Sequence, residues 1–336
     1  MPGMLTHYLC GNKLLTSLEH TPLALVLRQY RQAFNLGTQG PDIFFFYRVW
    51  PWTRSHGVNK IGECMHVKNV GAFFSNALQY SKNRSAKERN ILTAYICGFA
   101  CHYALDLTAH PYIFYKSGFP LEGEDLKKNE TYFHNRFETA VDYLMLQRET
   151  GHTPGDIQFH EWIRVPADQA QWIGQMISDA ISHSYGFILS VNQVCTAMKD
   201  MLQVYSFLRD RTGIKKQAFA FLSKFIGTAK LVAHMIYPGE ITDGLDYLNL
   251  KHTPWSLPWD QSARSSASFP ELFDRAVVEA GELLDVIHNY LSGSLDLNSA
   301  MERISSRSYS TGLDCALAPT FRYYDCIFTP AHPTTG

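Results

Sequence analysis

Three side chains in one apolar stretch, CGFACHYALDLTAHPYIFY (97–115), are of the kind that hold metal ions: His102, Asp106 and His110. Each follows the last by four residues. In an α-helix each residue turns about 100°, so the three spread over only about 80° of the circumference and point one way. An ionised aspartate facing an apolar core is costly unless it is paired or metal-bound. Two imidazoles and a carboxylate are among the preferred ligands of zinc. The plain alternative is a set of hydrogen-bonded core residues. Gly98, one turn earlier on the same stripe, leaves room for another backbone or a ligand.

Other candidates lie elsewhere in the chain. In HNRFE, His134 and Glu138 are again four apart and can face one ion, and Asp142 follows on the same stripe. A surface His–Glu pair has the same spacing. His66, in GECMH, precedes an apolar stripe of Val70, Phe73 and Phe74. Asp42, in QGPDIFFF, is a lone acid between a turn and an apolar run, where it either caps a helix or binds something. His7, in THYLCG, lies beside a cap expected at Thr6.

The elements that must position these residues are helical. Thr21-Pro22 before LALVLRQYRQAF, with Gly37 after it, predicts one helix with an N-cap, a first-turn proline and a terminal glycine. Ser85-Ala86-Lys87-Glu88 is a capping box leading into the helix that carries His102. That helix is expected to stop near Pro111, because the residue before a proline avoids helical geometry. Helices are also expected at TYFHNRFETAVDYLMLQRE, ADQAQWIGQMISDAISHSYGF, NQVCTAMKDMLQVYSFLRDR, KKQAFAFLSKFIGTAKLVAHMI and SFPELFDRAVVEAGELLDVIHNYLSG. IFFF after Pro41 reads as a strand or as a buried helix start. KHTPWSLPWDQSARSSAS reads as a long loop, with Trp255–Trp259 as a possible lid. The expected class is all-α: a single helical domain over 1–336. Ligand candidates crowd 1–160, packing helices fill 161–304, and an irregular tail at 305–336 lies over the surface.

Composition narrows the function. With 46% hydrophobic and 18% charged residues in 336, the chain can bury a large core. A net charge of −1 offers no field for strong nucleic-acid binding. No run of about 18 uncharged apolar residues predicts a membrane span, though transient contact with a membrane surface is compatible. Seven scattered cysteines read as reduced thiols, with Cys97 and Cys101 as small core residues. No signal peptide is visible at the N-terminus, so the expected location is cytoplasmic, or secreted if a leader was trimmed. His56, His152, His160, His183, His234 and His288 have no partner spacing and read as ordinary residues. Paired Glu-x-x-His motifs of a di-iron bundle are absent.

Taken in order, THYLCG, QGPD, the isolated His of GECMH, HYALDLTAH and HNRFE resemble the zinc-dependent phospholipase C family, which shares a helical fold with single-strand-specific zinc nucleases. The likeness covers roughly the first 140 residues, and the HTPWSLPWD…SFPELF region looks like a bacterial branch of that family. The resemblance implies two or three zinc ions. One would take Asp42, His66, His102 and Asp106. A second would take His110, His134 and Glu138. The third would take His7 and share Asp106 as a bridge. Asp42 would also act as catalytic base. The implied activity is hydrolysis of a phospholipid phosphodiester by metal-activated water. Alternatives are a nuclease or phosphatase on the same scaffold, or a catalytically weak zinc-binding helical protein. Phe44, Phe45, Tyr47, Trp50 and Trp52 would wall the substrate pocket, or simply pack.

Two departures from the family pattern stand out. The secreted phospholipases have five residues between the bridging Asp and the next His; here only Leu107, Thr108 and Ala109 intervene, so the helix is expected to bend near Pro111 to aim His110. Those enzymes also use an N-terminal Trp on the third ion, whereas this chain reads Met-Pro-Gly-Met with His7 close behind.

Overall fold

The computed structural model describes residues 3–19, 21–50, 53–54, 57–119, 127–208 and 236–328. The chain is mostly helical, with one small two-stranded sheet, in keeping with the all-α expectation. Trp52, His56, His234 and almost all of the helix expected at KKQAFAFLSKFIGTAKLVAHMI lie outside the described residues.

A long central helix organises the rest: α6, Ala86–Ser117. The Ser85 hydroxyl accepts from the Glu88 amide at its start, and Glu88 answers to the Ser85 amide at 3.2 Å, the capping box read from sequence. The helix is long and apolar enough to cross a bilayer, yet 94% of its most apolar window is buried in the protein, which marks a core helix. It does not stop near Pro111 but runs on to Ser117. Proline removes only the bond to the carbonyl four residues back, that of Leu107. The helix is clad by neighbours on most sides, so tertiary packing outweighs the local defect.

Around α6 pack α1 (Met4–Ser17), α2 (Pro22–Gln29), α3 (Arg31–Gly37), α5 (Val70–Lys82), α7 (Lys127–Thr150) and α9 (Ala167–Tyr185). A helix at Phe269–Ser292, here α11, lies along it as well. The single helix expected after Thr21 is two, broken at Tyr30 (φ −110°, ψ 42°), although the Thr21 cap forms as expected. A 3-10 turn, Gly40–Phe46, replaces the strand or helix considered for IFFF. Then come α4 (Asn59–Val67), the short α8 (Phe159–Trp162) and α10 (Val191–Leu208). The stretch read as a loop contains an antiparallel hairpin, β1 (Trp255–Leu257) with β2 (Asp260–Ser265). Trp255 there is a core residue against Tyr112, not part of a lid. The helix α12, Leu297–Ile304, ends the helical part.

The room left by Gly98 is filled by another backbone. A Cβ on Gly98 would lie 2.0 Å from the Phe34 carbonyl oxygen, and one on Gly37 would lie 2.1 Å from that of Tyr95. The two glycines let α3 press onto α6 and bring Thr38 to His102. Gly98→Ala should therefore destabilise the fold by about 3 kcal/mol or more, the usual cost of overpacking a core. Urea unfolding of the metal-free protein checks this; an unmoved midpoint would mean that the helices do not meet there.

Candidate metal centre

The helical stripe does what its spacing implied: His102, Asp106 and His110 all turn into one buried centre, at 0%, 0% and 2% exposure. Asp106 lies at the middle. Its Oδ2 is 3.1 Å from His102 Nε2 and 3.8 Å from His66 Nε2. Its Oδ1 is 3.2 Å from His7 Nε2. Asp42 Oδ1 completes the first group, 3.2 Å from His66 Nε2 and 3.8 Å from His102 Nε2. The candidate ligand atoms fall into three sets, each within 4.8 Å: His7, His102 and Asp106; Asp42, His66 and His102; His110, His134 and Glu138. All eight residues that the family resemblance implies as ligands are thus brought together. The two missing residues after Asp106 do not keep His110 from His134.

Three of the imidazoles are aimed by main-chain carbonyls. His66 Nδ1 lies 2.6 Å from the Gly62 carbonyl, His102 Nδ1 3.1 Å from that of Thr38, and His110 Nδ1 2.7 Å from that of Tyr309. A carbonyl only accepts, so Nδ1 carries the proton and Nε2 keeps a lone pair for the centre. His134 Nδ1 meets the Ser117 hydroxyl at 3.3 Å. Asn59, first residue of α4, donates to the carbonyls of Phe44, Phe45 and Tyr47, which ties the helix of His66 to the turn of Asp42. Gly40, at φ +52°, lies against the His102 ring, where a Cβ would come within 2.4 Å.

His7 is placed differently from the expectation. Thr6 is not the cap of α1 but lies inside it. The cap comes from Asp142 on α7, whose carboxylate accepts from the amides of Leu5 (3.1 Å) and Thr6 (2.8 Å), from the Thr6 hydroxyl (2.6 Å) and from the Tyr237 hydroxyl (2.6 Å). It satisfies orphan donors at a helix start with a negative charge. Asp142 therefore continues the stripe of His134 and Glu138 without joining their group; it holds the helix that carries His7. The His7 ring then stacks on His102 at 3.8 Å.

The donor set fits metal ions. His66 Nε2, His102 Nε2, His110 Nε2, both nitrogens of His7, both oxygens of Asp106 and Asp42 Oδ1 are buried and make no hydrogen bond among the described residues. At 3.1 Å, His102 Nε2 and Asp106 Oδ2 are close enough to share a proton, yet they lack the alignment of a good hydrogen bond. Lone pairs this close repel unless a cation lies between them. One proton can serve one such pair; three imidazoles and two carboxylates around one point call for more. Cys97 and Cys101, buried and with burial pushing both thiols up, join no ligand group. Nor do His152, His160, His183 and His288 among the described residues.

Protonation follows the geometry. Burial pulls His7 down to about 4 and His110 down to about 3, and holds His134 well below its usual value. Burial also opposes the charged form of His102, but the carboxylates of Asp106 and Asp42 outweigh it and leave that group above its usual value. For Asp106 burial favours the acid, and the surrounding imidazoles, His110 and His102 first, hold it well below the carboxylate range.

Two outcomes follow. His7, His110 and His134 have folded values below the unfolded 6.5, so their contribution is full above pH 6.5 and is lost as pH falls toward 4 and 3. His102 works the other way, its contribution being full below 6.5, so it does not oppose this loss. Melting of chelator-treated protein should drop steadily from pH 6.5 to 4; a flat curve would contradict the burial of these rings. Asp142→Ala should cost about 2–3 kcal/mol by stranding its donors, read as a lower urea midpoint.

A family model described as zinc dependent phospholipase C matches residues 6–207, a span that holds all eight candidate ligands. No curated protein and no solved structure matches the chain. The matched span is well over half of the 336 residues, and it contains the centre just described: the protein belongs to the zinc-dependent phospholipase C family.

Proposed function

We propose that the protein is a zinc-dependent phosphodiesterase that acts on phospholipids, with two or three ions held by His7, Asp42, His66, His102, Asp106, His110, His134 and Glu138. The observation that carries this reading is the split carboxylate of Asp106: one oxygen faces His102 and His66, the other His7. A carboxylate so placed suits a bridge between neighbouring cations, the arrangement that clamps both oxygens of an in-line displacement. When bound, zinc lowers the pKa of water to about 7 and neutralises phosphate charge.

The chain's own residues divide the remaining work. His7, His102 and Asp106, at 1%, 0% and 0% exposure, form the closed floor. Asp42 and His66, at 8% and 6%, lie nearer solvent, as do the half-buried His134 and Glu138, so the substrate approaches from their side. Asp42 takes a proton from the attacking water and passes it to the departing alcohol oxygen as the phosphorus–oxygen bond breaks. Apolar rings flank that side: Phe45 stacks on His66 at 5.6 Å, and Phe114 on His134 at 5.0 Å. They suit the apolar group of a diacylglycerol. Phe44 and Tyr47 are core residues instead, and Trp50 packs against Phe207.

Metal analysis coupled to turnover tests this. The purified protein should carry two or three zinc ions and release diacylglycerol from phosphatidylcholine. Asp106→Asn should lose both metal and turnover; if it keeps its full metal content, the bridging role is wrong. Asp42→Asn that retains metal should slow turnover by about 10²–10⁴-fold, as loss of a general base does. Cleavage of single-stranded DNA in place of phosphatidylcholine would make the protein a nuclease on this scaffold. A fully loaded protein that cleaves neither would be a zinc-binding protein without this activity.

A further inference from the structure

The segment after α12 lies outside the span shared with the family, and the sequence placed it on the surface. Part of it is inside. Tyr309 is 1% exposed, and its ring lies 5.0 Å from that of His66 and 5.8 Å from that of His102. Its amide donates to the His66 carbonyl at 2.8 Å, and Ser308 Oγ donates to the same oxygen at 3.3 Å. Its own carbonyl accepts from His110 Nδ1 at 2.7 Å. One residue thus touches three candidate ligands from three directions.

The loop that delivers it is tightly built. Ser308 donates its amide to Leu313, Gly312 to Ser308 and Cys315 to Ser306, at 2.7–2.8 Å. Its base is tied to three helices: the Arg307 amide donates to the Tyr103 hydroxyl, the Arg307 guanidinium pairs with Glu279, and Ser306 Oγ accepts from the Gly71 amide. Gly312, at φ +70°, is pressed on α6 at the carbonyl of Leu107, the one that Pro111 deprives of its helical partner; a Cβ there would lie 2.8 Å from that oxygen.

We propose that the loop Ser306–Cys315 is part of the metal centre, and that Tyr309 is the positioning residue that aims His110 through its carbonyl and braces His66 and His102 through its ring. The competing acceptor for the His110 N–H is Asp106 Oδ1, 3.8 Å away. Held by Tyr309, the N–H leaves that oxygen to a cation, and His110 keeps its unbonded Nε2, within the group it forms with His134 and Glu138. Released, the ring turns toward Asp106 and takes an oxygen from the bridge. A histidine ligand depends on such an outer partner for aim and tautomer, and losing one costs 10–100-fold in metal affinity. The inference rests on the zinc reading above, for the same eight ligands.

Zinc affinity and the visible spectrum of the cobalt-substituted full-length protein test it without recourse to turnover. Tyr309→Phe keeps ring and carbonyl, and should match the parent in both. Tyr309→Ala should alter the cobalt spectrum, because His66 and His102 lose their brace. Gly312→Ala forces the loop off α6 and should weaken the most loosely held ion by about 10–100-fold while the remaining ions stay. If Tyr309→Ala and Gly312→Ala both melt earlier yet bind zinc and cobalt as the parent does, the loop merely packs and the proposal fails. If the parent itself binds no stoichiometric zinc, the zinc reading fails instead.

Discussion

A carboxylate with no access to water must be matched, and Asp106 is such a group, fully buried in the long central helix α6. Its neighbours are the rings of His7, His66, His102 and His110 rather than lysine or arginine. Imidazoles can leave lone pairs turned inward where an ammonium cannot. His66 and His102 commit Nδ1 to a main-chain carbonyl, so the atom each turns to Asp106 is the unprotonated Nε2, while the Nδ1 proton of His110 is drawn off by the Tyr309 carbonyl. The centre is consequently a converging set of acceptors, stable in company with cations and strained without them.

This constraint explains why so much of the fold consists of clamps. Asp142 reaches from α7 to start α1, which sets the height of His7. Asn59 ties α4 to the 3-10 turn, so His66 and Asp42 move as one. Gly37 and Gly98 bring the end of α3 onto α6, which delivers the Thr38 carbonyl to His102. None of these contacts touches substrate. Each removes freedom from a side chain whose ligand atom must reach a common point. An ion gathering pieces so distant in sequence also acts as a cross-link, and its binding energy adds to folding.

The gradient of exposure gives the centre a direction. The closed floor carries Asp106, while Asp42, His66, His134 and Glu138 lie toward solvent with aromatic rings beside two of them. A phosphodiester can thus present its charge to the centre and its apolar part to the rings. Family membership and this asymmetry both support the phospholipid reading proposed above.

Helical spacing was enough to single out His102, Asp106 and His110 on one stripe and His134 with Glu138 on another, and the capping box predicted α6, because periodicity and caps are local properties that neighbouring residues record; Asp42, His66 and His7 stood alone in the sequence and joined the set only through the family resemblance. Local signals were not enough for Pro111, where packing overrode a local preference, nor for Tyr30, where one expected helix became two. The hairpin inside 255–265 was hidden by its Pro and Ser content. Thr6 carried the signal of a cap, yet the cap is a carboxylate 136 residues away. Tyr309 showed no signal at all: its bond to His110 spans 199 residues, and nothing beside either one marks it. The sequence by itself determined which side chains could bind a cation and along which face of each helix they lie. Only the tertiary structure decided which nitrogen faces inward, which carboxylate lies among the imidazoles and which merely caps, because those depend on carbonyls and amides supplied by strands of chain that meet only after folding.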